Sequence, residues 1–455
     1  MALVTGGALL TTMVAMPARA GSGGVARHLQ RTMDQLNFEE VLDLAPPGST
    51  QARALGAGVD KEAAANRGLP HAAADPQPIV QQPQVDATVL ELDRHGRPVS
   101  SGTVLMSPQY PRGVVVPVDR NFHTEQVRWR QWDDAGWYAN RGQGSIDVVP
   151  GRENAPIDFM QPYPASVLKV MVGFGVLRLV DSGEIALDDT YDYRPTSDSS
   201  VSLCGTASSN TIRNYLEASL TFSDNASSCA LVKLLWDHNA VEGLNQTFQD
   251  LGLETLQLKN TNPATGGRWS NPVTMTSLDT AKLLALINGA PGTVWTTPAG
   301  RPVTSAVLSP SARSFVKGML AEQGHNDMLS TANWCGRDYP APGIPQVVPQ
   351  RWIAADGTVT VAGERFGQDV RPCNLTAQVT FAHKTGWVSN SGADAGIVES
   401  LPGRPRRNYI IVVFSNLGTQ YVDPDRPADP PGVLPIRFTQ KFAQLGLAID
   451  RYEQR

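Results

Sequence analysis

Tyr163-Pro164-Ala165-Ser166-Val167-Leu168-Lys169-Val170-Met171-Val172-Gly173-Phe174-Gly175-Val176-Leu177-Arg178-Leu179-Val180 decides how the rest of the 455-residue chain is read. The run is apolar and predicts a buried helix with a serine and a lysine at its start. Pro164 stands just ahead, where a proline costs little. Ser166 and Lys169 are three residues apart, so both leave one face of the first turn. A serine hydroxyl is a poor nucleophile until a base lies within hydrogen-bond reach and donors await the oxyanion. A lysine one turn on can be that base if burial or a second cation lowers its pKa. The helix N-terminus adds a positive dipole end where negative charge develops. Gly173 and Gly175 are read as allowing close helix packing.

Ser-x-x-Lys alone is weak, since about one instance arises by chance in a chain of this length. Ser314-Phe315-Val316-Lys317 is such a decoy, set inside a predicted helix that starts at Ser309-Pro310. Two triplets strengthen the reading. Ser223-Asp224-Asn225 opens an apolar helical run, and Lys384-Thr385-Gly386 ends an alternating strand-like run. Each triplet has a chance probability of roughly a tenth or less. All three in this order and context form a specific pattern.

On these motifs the chain resembles the penicillin-recognising active-site-serine hydrolases, which include the class A β-lactamases and the D-alanyl-D-alanine peptidases. The resemblance covers roughly residues 127–452 and is greatest to class A. It implies an α/β (α+β) fold: an antiparallel five-stranded sheet flanked by helices, with an inserted all-helical subdomain. It also implies roles. Ser166 forms a covalent acyl ester, and Lys169 takes or relays its proton. Ser223 passes a proton to the leaving nitrogen, and Lys384 keeps that path positive. Asn225 holds the substrate amide, and Thr385 with Lys384 binds a carboxylate. Gly386 leaves the strand edge bare, and the N–H groups of Ser166 and Trp387 form the oxyanion hole. Asp224 is read as a fold-stabilising acceptor.

One departure from the family matters. Class A enzymes carry a glutamate in the loop after the second motif, where it activates the deacylating water. Here Thr255 to Ser277 contains no Asp or Glu, and Glu254 is read as an exposed helix-end residue. Water attack on an acyl-enzyme is therefore expected to be slow. The strand after Lys384-Thr385-Gly386 also lacks an arginine; Arg337 and Arg371 are the stand-ins considered. The expected acyl donor is a β-lactam or a D-Ala-D-Ala-like cell-wall peptide. Peptidase or esterase action, and non-turnover binding, are the alternatives.

Composition bounds the rest. With 41% hydrophobic and 18% charged residues, the chain can build a sizeable core. A net charge of −5 and the absence of a basic run argue against a nucleic-acid partner. Residues 1–20 hold one charge, Arg19, and end in Ala18-Arg19-Ala20, which suits signal-peptidase cleavage though a basic flank is missing. Export to the cell envelope or medium is expected, with no later membrane span and a monomeric product. The four cysteines fit an oxidising compartment. They allow three pairings; proximity in sequence favours Cys204 with Cys229 and Cys335 with Cys373. Metal-ligand spacing is absent, and neither metal nor cofactor is expected.

Along the chain, residues 21–86 read as a helix over 26–44 followed by a Pro/Ala-rich linker. Residues 87–126 read as a hairpin extension or the start of the catalytic sheet. Residues 127–452 read as the hydrolase domain, with an insertion at about 335–376. Either Val89–Met106 or Gln126–Tyr138 can supply the first two strands of the sheet. Trp129, Trp132 and Trp137 are read as packing residues, and His238 as a capping one.

Overall fold

The computed structural model describes residues 23–44, 77–133, 144–196, 202–259, 261–267, 269, 273–336, 342–424 and 440–454. The expected signal segment, most of the Pro/Ala-rich linker, Trp137 and Arg337 lie outside the described residues. In chain order the main strands are β1 (Val85–Leu92), β2 (Pro98–Ser107), β3 (Tyr110–Val115), β4 (Val379–Val388), β5 (Ser391–Ser400) and β6 (Asn408–Ser415). They form one antiparallel sheet in the order β4-β5-β6-β1-β2-β3. The five strands expected are present, and the short β3 adds a sixth at the edge.

Of the two strand pairs that could open the sheet, Val85–Ser107 does so. Val127–Trp132 instead joins a separate small sheet with Ser145–Asp147 and Ile157–Met160. There Trp129 packs edge-on against Phe159. β6 reads Asn408-Tyr-Ile-Ile-Val-Val-Phe-Ser415, apolar on both faces, and it sits inside the sheet with helices on either side.

The helices are α1 (Gly23–Gln35), α2 (Leu168–Ser182), α3 (Ile212–Leu220), α4 (Asn225–Asp237), α5 (Ala240–Asp250), α6 (Ser277–Asn288), α7 (Pro310–Ala321) and α8 (Lys441–Glu453). α1 and α8 cover one face of the sheet, burying Val25, Leu29, Met33, Phe442, Leu445 and Ile449 against it. His28 stacks on Tyr452 and Phe38 packs on Phe442, tying the two terminal helices together. α1 is shorter than the 26–44 expected. Asn37 takes a left-handed φ of 48° and the chain leaves the helix there.

The other face carries a helical lobe built round α2. α2 is buried along most of its length because its glycines admit neighbours. A Cβ on Gly175 would stand 2.7 Å from Leu244 Cδ2, and one on Gly173 3.3 Å from Leu220 Cδ1. α3 begins at Ile212, since Ser208–Thr211 pairs as a strand with Thr190–Tyr193 and Thr211 then caps the helix. Thr276 caps α6, while the Asp279 carboxylate accepts from Thr255 N and Oγ1. His238 ends α4, and Ser309-Pro310 opens α7. The decoy Lys317 pairs with Glu399 on β5.

The described part of residues 335–376 packs with Trp334 round a small core of Val348, Trp352, Val359, Val361, Phe366 and Val370. Disulfides join Cys204 to Cys229 and Cys335 to Cys373. No helix among the described residues is long and apolar enough to cross a membrane.

Candidate active site

Ser166 sits in a 3-10 turn, Ala165–Val167, that leads directly into α2. Ala165 ahead of it has φ 46°, a strained conformation for a residue with a Cβ. Lys169, one turn on, has no solvent exposure. Its Nζ donates to Ser223 O at 2.6 Å, Ser223 Oγ at 3.2 Å and Asn225 Oδ1 at 2.6 Å. Ser223 also has a left-handed φ, 60°, which turns its carbonyl toward Lys169. Asp224 behind it caps α4, accepting from Ser227 N at 2.6 Å. That capping role matches the acceptor role expected for it.

Lys384 arrives from the edge strand β4. Along this strand Val379 and Phe381 face the terminal helices and Ala382 faces the lobe. The period of two therefore sends Lys384 and Gly386 to the lobe side. Lys384 Nζ donates to Ser223 Oγ at 2.9 Å and to Thr385 O at 2.8 Å, and it too is fully buried. The Ser223 hydroxyl thus lies between two lysine amines from opposite sides of the fold. Its two lone pairs can accept from both.

Gly386 brings the strand against the turn that carries Ser166. A Cβ there would lie 2.5 Å from Ser166 N, 2.9 Å from Val167 N and 3.0 Å from Pro164 O. Only glycine lets the strand backbone come this near. Ser166, Ser223, Asn225, Thr385, Gly386 and Trp387 all line one open cleft of about 720 Å³. All eight residues singled out from the sequence therefore come together, six on the wall and the two lysines beneath it.

The cleft also contains residues the motifs did not reveal. His325 lines it, and burial, then the neighbouring Lys384 and Lys169 amines, push the pKa of its imidazole down to about 3, so the ring is neutral at physiological pH. Ala362 and Glu364 line it from the 335–376 insertion. Beneath β4, His383 lies between Asp394 Oδ1 and Asn326 Oδ1, each at 2.8 Å from a ring nitrogen. This buried chain ties β4 to β5 and to the segment carrying His325. Sequence carried one hint of it: His383 directly precedes Lys384.

The loop after α5 packs close to Lys169. Trp269, which is 2% exposed, places its ring 5.8 Å from Lys169 Nζ. Its indole N–H donates to Gly266 O. Gly266 in turn sits so close to α4 that a Cβ would strike Cys229 O at 1.9 Å. Glu254 is turned toward Arg152, 3.5 Å away. Arg371 forms a two-pronged pair with Asp369 and does not line the cleft. Among the described residues, no arginine or lysine lines the cleft wall.

Residues 158–339 match the family model described as the beta-lactamase enzyme family. That span holds Ser166, Lys169 and Ser223–Asn225 and ends before Lys384. Among solved structures the chain is similar to a mutant of PBP-A, determined as an acyl-enzyme complex with penicillin G. Identity is 16%, 82% of this chain and 90% of that one are covered, and the TM-score is 0.42. It is similar also to a beta-lactamase from Chitinophaga pinensis, with 17% identity, 69% and 90% coverage and a TM-score of 0.38. A class A beta-lactamase representative from Bacteroides cellulosilyticus gives 15%, 82% and 92%, and 0.40. No curated protein matches the chain.

Proposed function

We propose that this chain, a β-lactamase-like serine hydrolase across residues 158–339, is acylated on Ser166 by a β-lactam or a D-Ala-D-Ala-like peptide and releases the acyl group slowly. The observation that carries the reading is the Ser223 hydroxyl held between Lys169 at 3.2 Å and Lys384 at 2.9 Å, on the wall that also holds Ser166. In the forward step the Ser166 oxygen attacks the carbonyl carbon and its proton passes to Lys169. The tetrahedral oxyanion is met by the N–H groups of Ser166 and Trp387. The C–N bond then breaks, and Ser223 delivers a proton to the leaving nitrogen. Lys384 sustains the positive potential along that path, Asn225 orients the amide, and Thr385 with Lys384 holds the substrate carboxylate.

The return step lacks its usual base. Residues 255–277 contain no carboxylate, and Trp269 lies over Lys169 instead. An ester on Ser166 therefore persists, because the loop after α5 brings no carboxylate to activate water. The same observation favours a second reading, a binding module that captures β-lactam or cell-wall peptide without turnover. Peptidase or esterase action on the same donor class uses the identical forward step. Export to the cell envelope fits the two disulfides, and a monomer suffices for the site.

Intact-mass analysis after a penicillin pulse tests this. The expected result is one penicillin added to the wild-type chain, lost over many minutes, and none added to Ser166→Ala. An adduct that never decays selects the binding module. No adduct on the wild type overturns both readings.

A further inference from the structure

Ser223 is held in a conformation that a serine seldom adopts. Its φ is 60°, and such strain persists only where the surroundings over-determine it. On its C-terminal side the restraint is plain: its own carbonyl accepts from Lys169 Nζ at 2.6 Å, and Asp224 caps α4. On its N-terminal side the chain leaves α3 through Leu220, Thr221 and Phe222. Carbonyls at a helix C-terminus have no partner within the helix. Here one segment answers them. Gln323 Nε2 donates to Leu220 O at 3.1 Å, Gly324 N donates to Thr221 O at 3.4 Å, and the His325 ring donates to Phe222 O. Three successive residues thus meet three successive carbonyls.

The same segment reaches β4. Gln323 Nε2 also donates to His383 O at 3.4 Å, one residue before Lys384, and Asn326 Oδ1 lies 2.8 Å from His383 Nε2. The segment is itself braced. Gln323 Oε1 accepts from His325 N at 3.1 Å, and Asn333 Nδ2 donates to Gly324 O at 2.7 Å. Val361 presses on Gly324, where a Cβ would meet its Cγ1 at 2.6 Å. Trp352 packs edge-on against Phe222. Residues 323–326 therefore bridge the turn that carries Ser223 and the strand that carries Lys384. The His325 contact is the one next to Ser223, and His325 lines the cleft with it. A neutral imidazole has one N–H to give, and Phe222 O takes it. Rotating the planar Phe222–Ser223 peptide changes the φ of Ser223. Holding the Phe222 carbonyl therefore fixes that φ, and with it the place of the Ser223 hydroxyl.

We infer that His325 is a positioning residue for acylation: by holding the Phe222 carbonyl it keeps the Ser223 hydroxyl between the Lys169 and Lys384 amines, on the proton path to the leaving nitrogen. The inference rests on the acylation of Ser166 proposed above. In that step the bond from Ser166 Oγ to the acyl carbon forms and the C–N bond breaks. The Ser166 proton goes to Lys169, Ser223 gives its own proton to the nitrogen, and Lys169 restores it. Loss of the His325 N–H leaves every member of this relay present and displaces its middle one.

Second-order acylation constants with benzylpenicillin, read by intact mass, test it, with thermal melts to confirm folding. His325→Phe keeps a planar ring and removes the donor; a fall of about ten- to a hundredfold is expected, as for a reacting group displaced by up to 1 Å. His325→Asn and His325→Gln carry amide N–H groups near the places of the two ring nitrogens, and at least one should stay within about threefold of wild type. The Ser223→Ala background separates positioning from general damage. There His325→Phe should cause little further loss, because residues that act as one unit are not additive. A folded His325→Phe protein that acylates like wild type, amide variants that fold yet are both slowed by about tenfold or more, or the same fold-loss on Ser223→Ala as on wild type overturns the inference and leaves the acylation reading standing. A wild type that benzylpenicillin does not acylate overturns that reading, and the inference with it.

Discussion

Gly386→Ala is the sharpest perturbation of the site, because the three atoms nearest the new methyl are all backbone. The Cβ would lie 2.5 Å from Ser166 N, where ordinary contact begins near 3.4 Å, so strand or turn must retreat by about 0.9 Å. Neither side yields easily. β4 is pinned by the His383–Asp394 bond, and Ser391 Oγ donates to Tyr163 O just ahead of the nucleophile turn. The turn is continuous with α2, which is buried in the lobe. Moving an oxyanion donor by close to 1 Å costs on the order of 10²-fold in rate. Overpacking costs about 1–3 kcal/mol of stability besides. The assay is the labelling rate with a fluorescent penicillin, run beside a thermal melt. A folded Gly386→Ala protein that acylates within about threefold of wild type would refute the placement of the oxyanion hole between Ser166 and Trp387.

Two further outcomes are expected. Asp86 accepts from Ser277 N and Oγ in full burial, and its carboxyl is raised from 3.8 to about 7, chiefly by desolvation. The native state thus holds this proton more tightly than the unfolded chain between about pH 4 and pH 7. Stability from this group is greatest below that window and falls through it, by on the order of 4 kcal/mol at most. Asp327, also raised to about 7, acts with the same sign. Asp86→Asn should reduce the slope of denaturant stability against pH across that window, and an unchanged slope would exclude Asp86 as its source. Separately, removing the Cys335–Cys373 link by a double serine variant opens a loop of 38 residues. A loss of about 2–4 kcal/mol is expected, read as a lower melting midpoint; no change would mean the insertion's apolar core holds its shape alone.

The chain alone showed where the candidate site residues fall and which elements carry them. Ser166 and Lys169 are fixed to one helical turn by their spacing, and Ser223 and Asn225 flank a helix start by capping logic. Lys384 and Gly386 share one strand face by the period of two. These are local rules, so they can be read without neighbours. The missing carboxylate in residues 255–277 is legible for the same reason. Tertiary structure alone decided which strand pair opens the sheet, because Val85–Ser107 and Val127–Trp132 alternate equally well and only long-range pairing with β6 separates them. It decided that Ser223 sits between two amines 161 and 54 residues away along the chain. It set Trp269 over Lys169, and it brought the tip of the insertion hairpin to the cleft. Contacts between residues far apart in the chain leave no period in the sequence, since they are selected by packing across the whole fold.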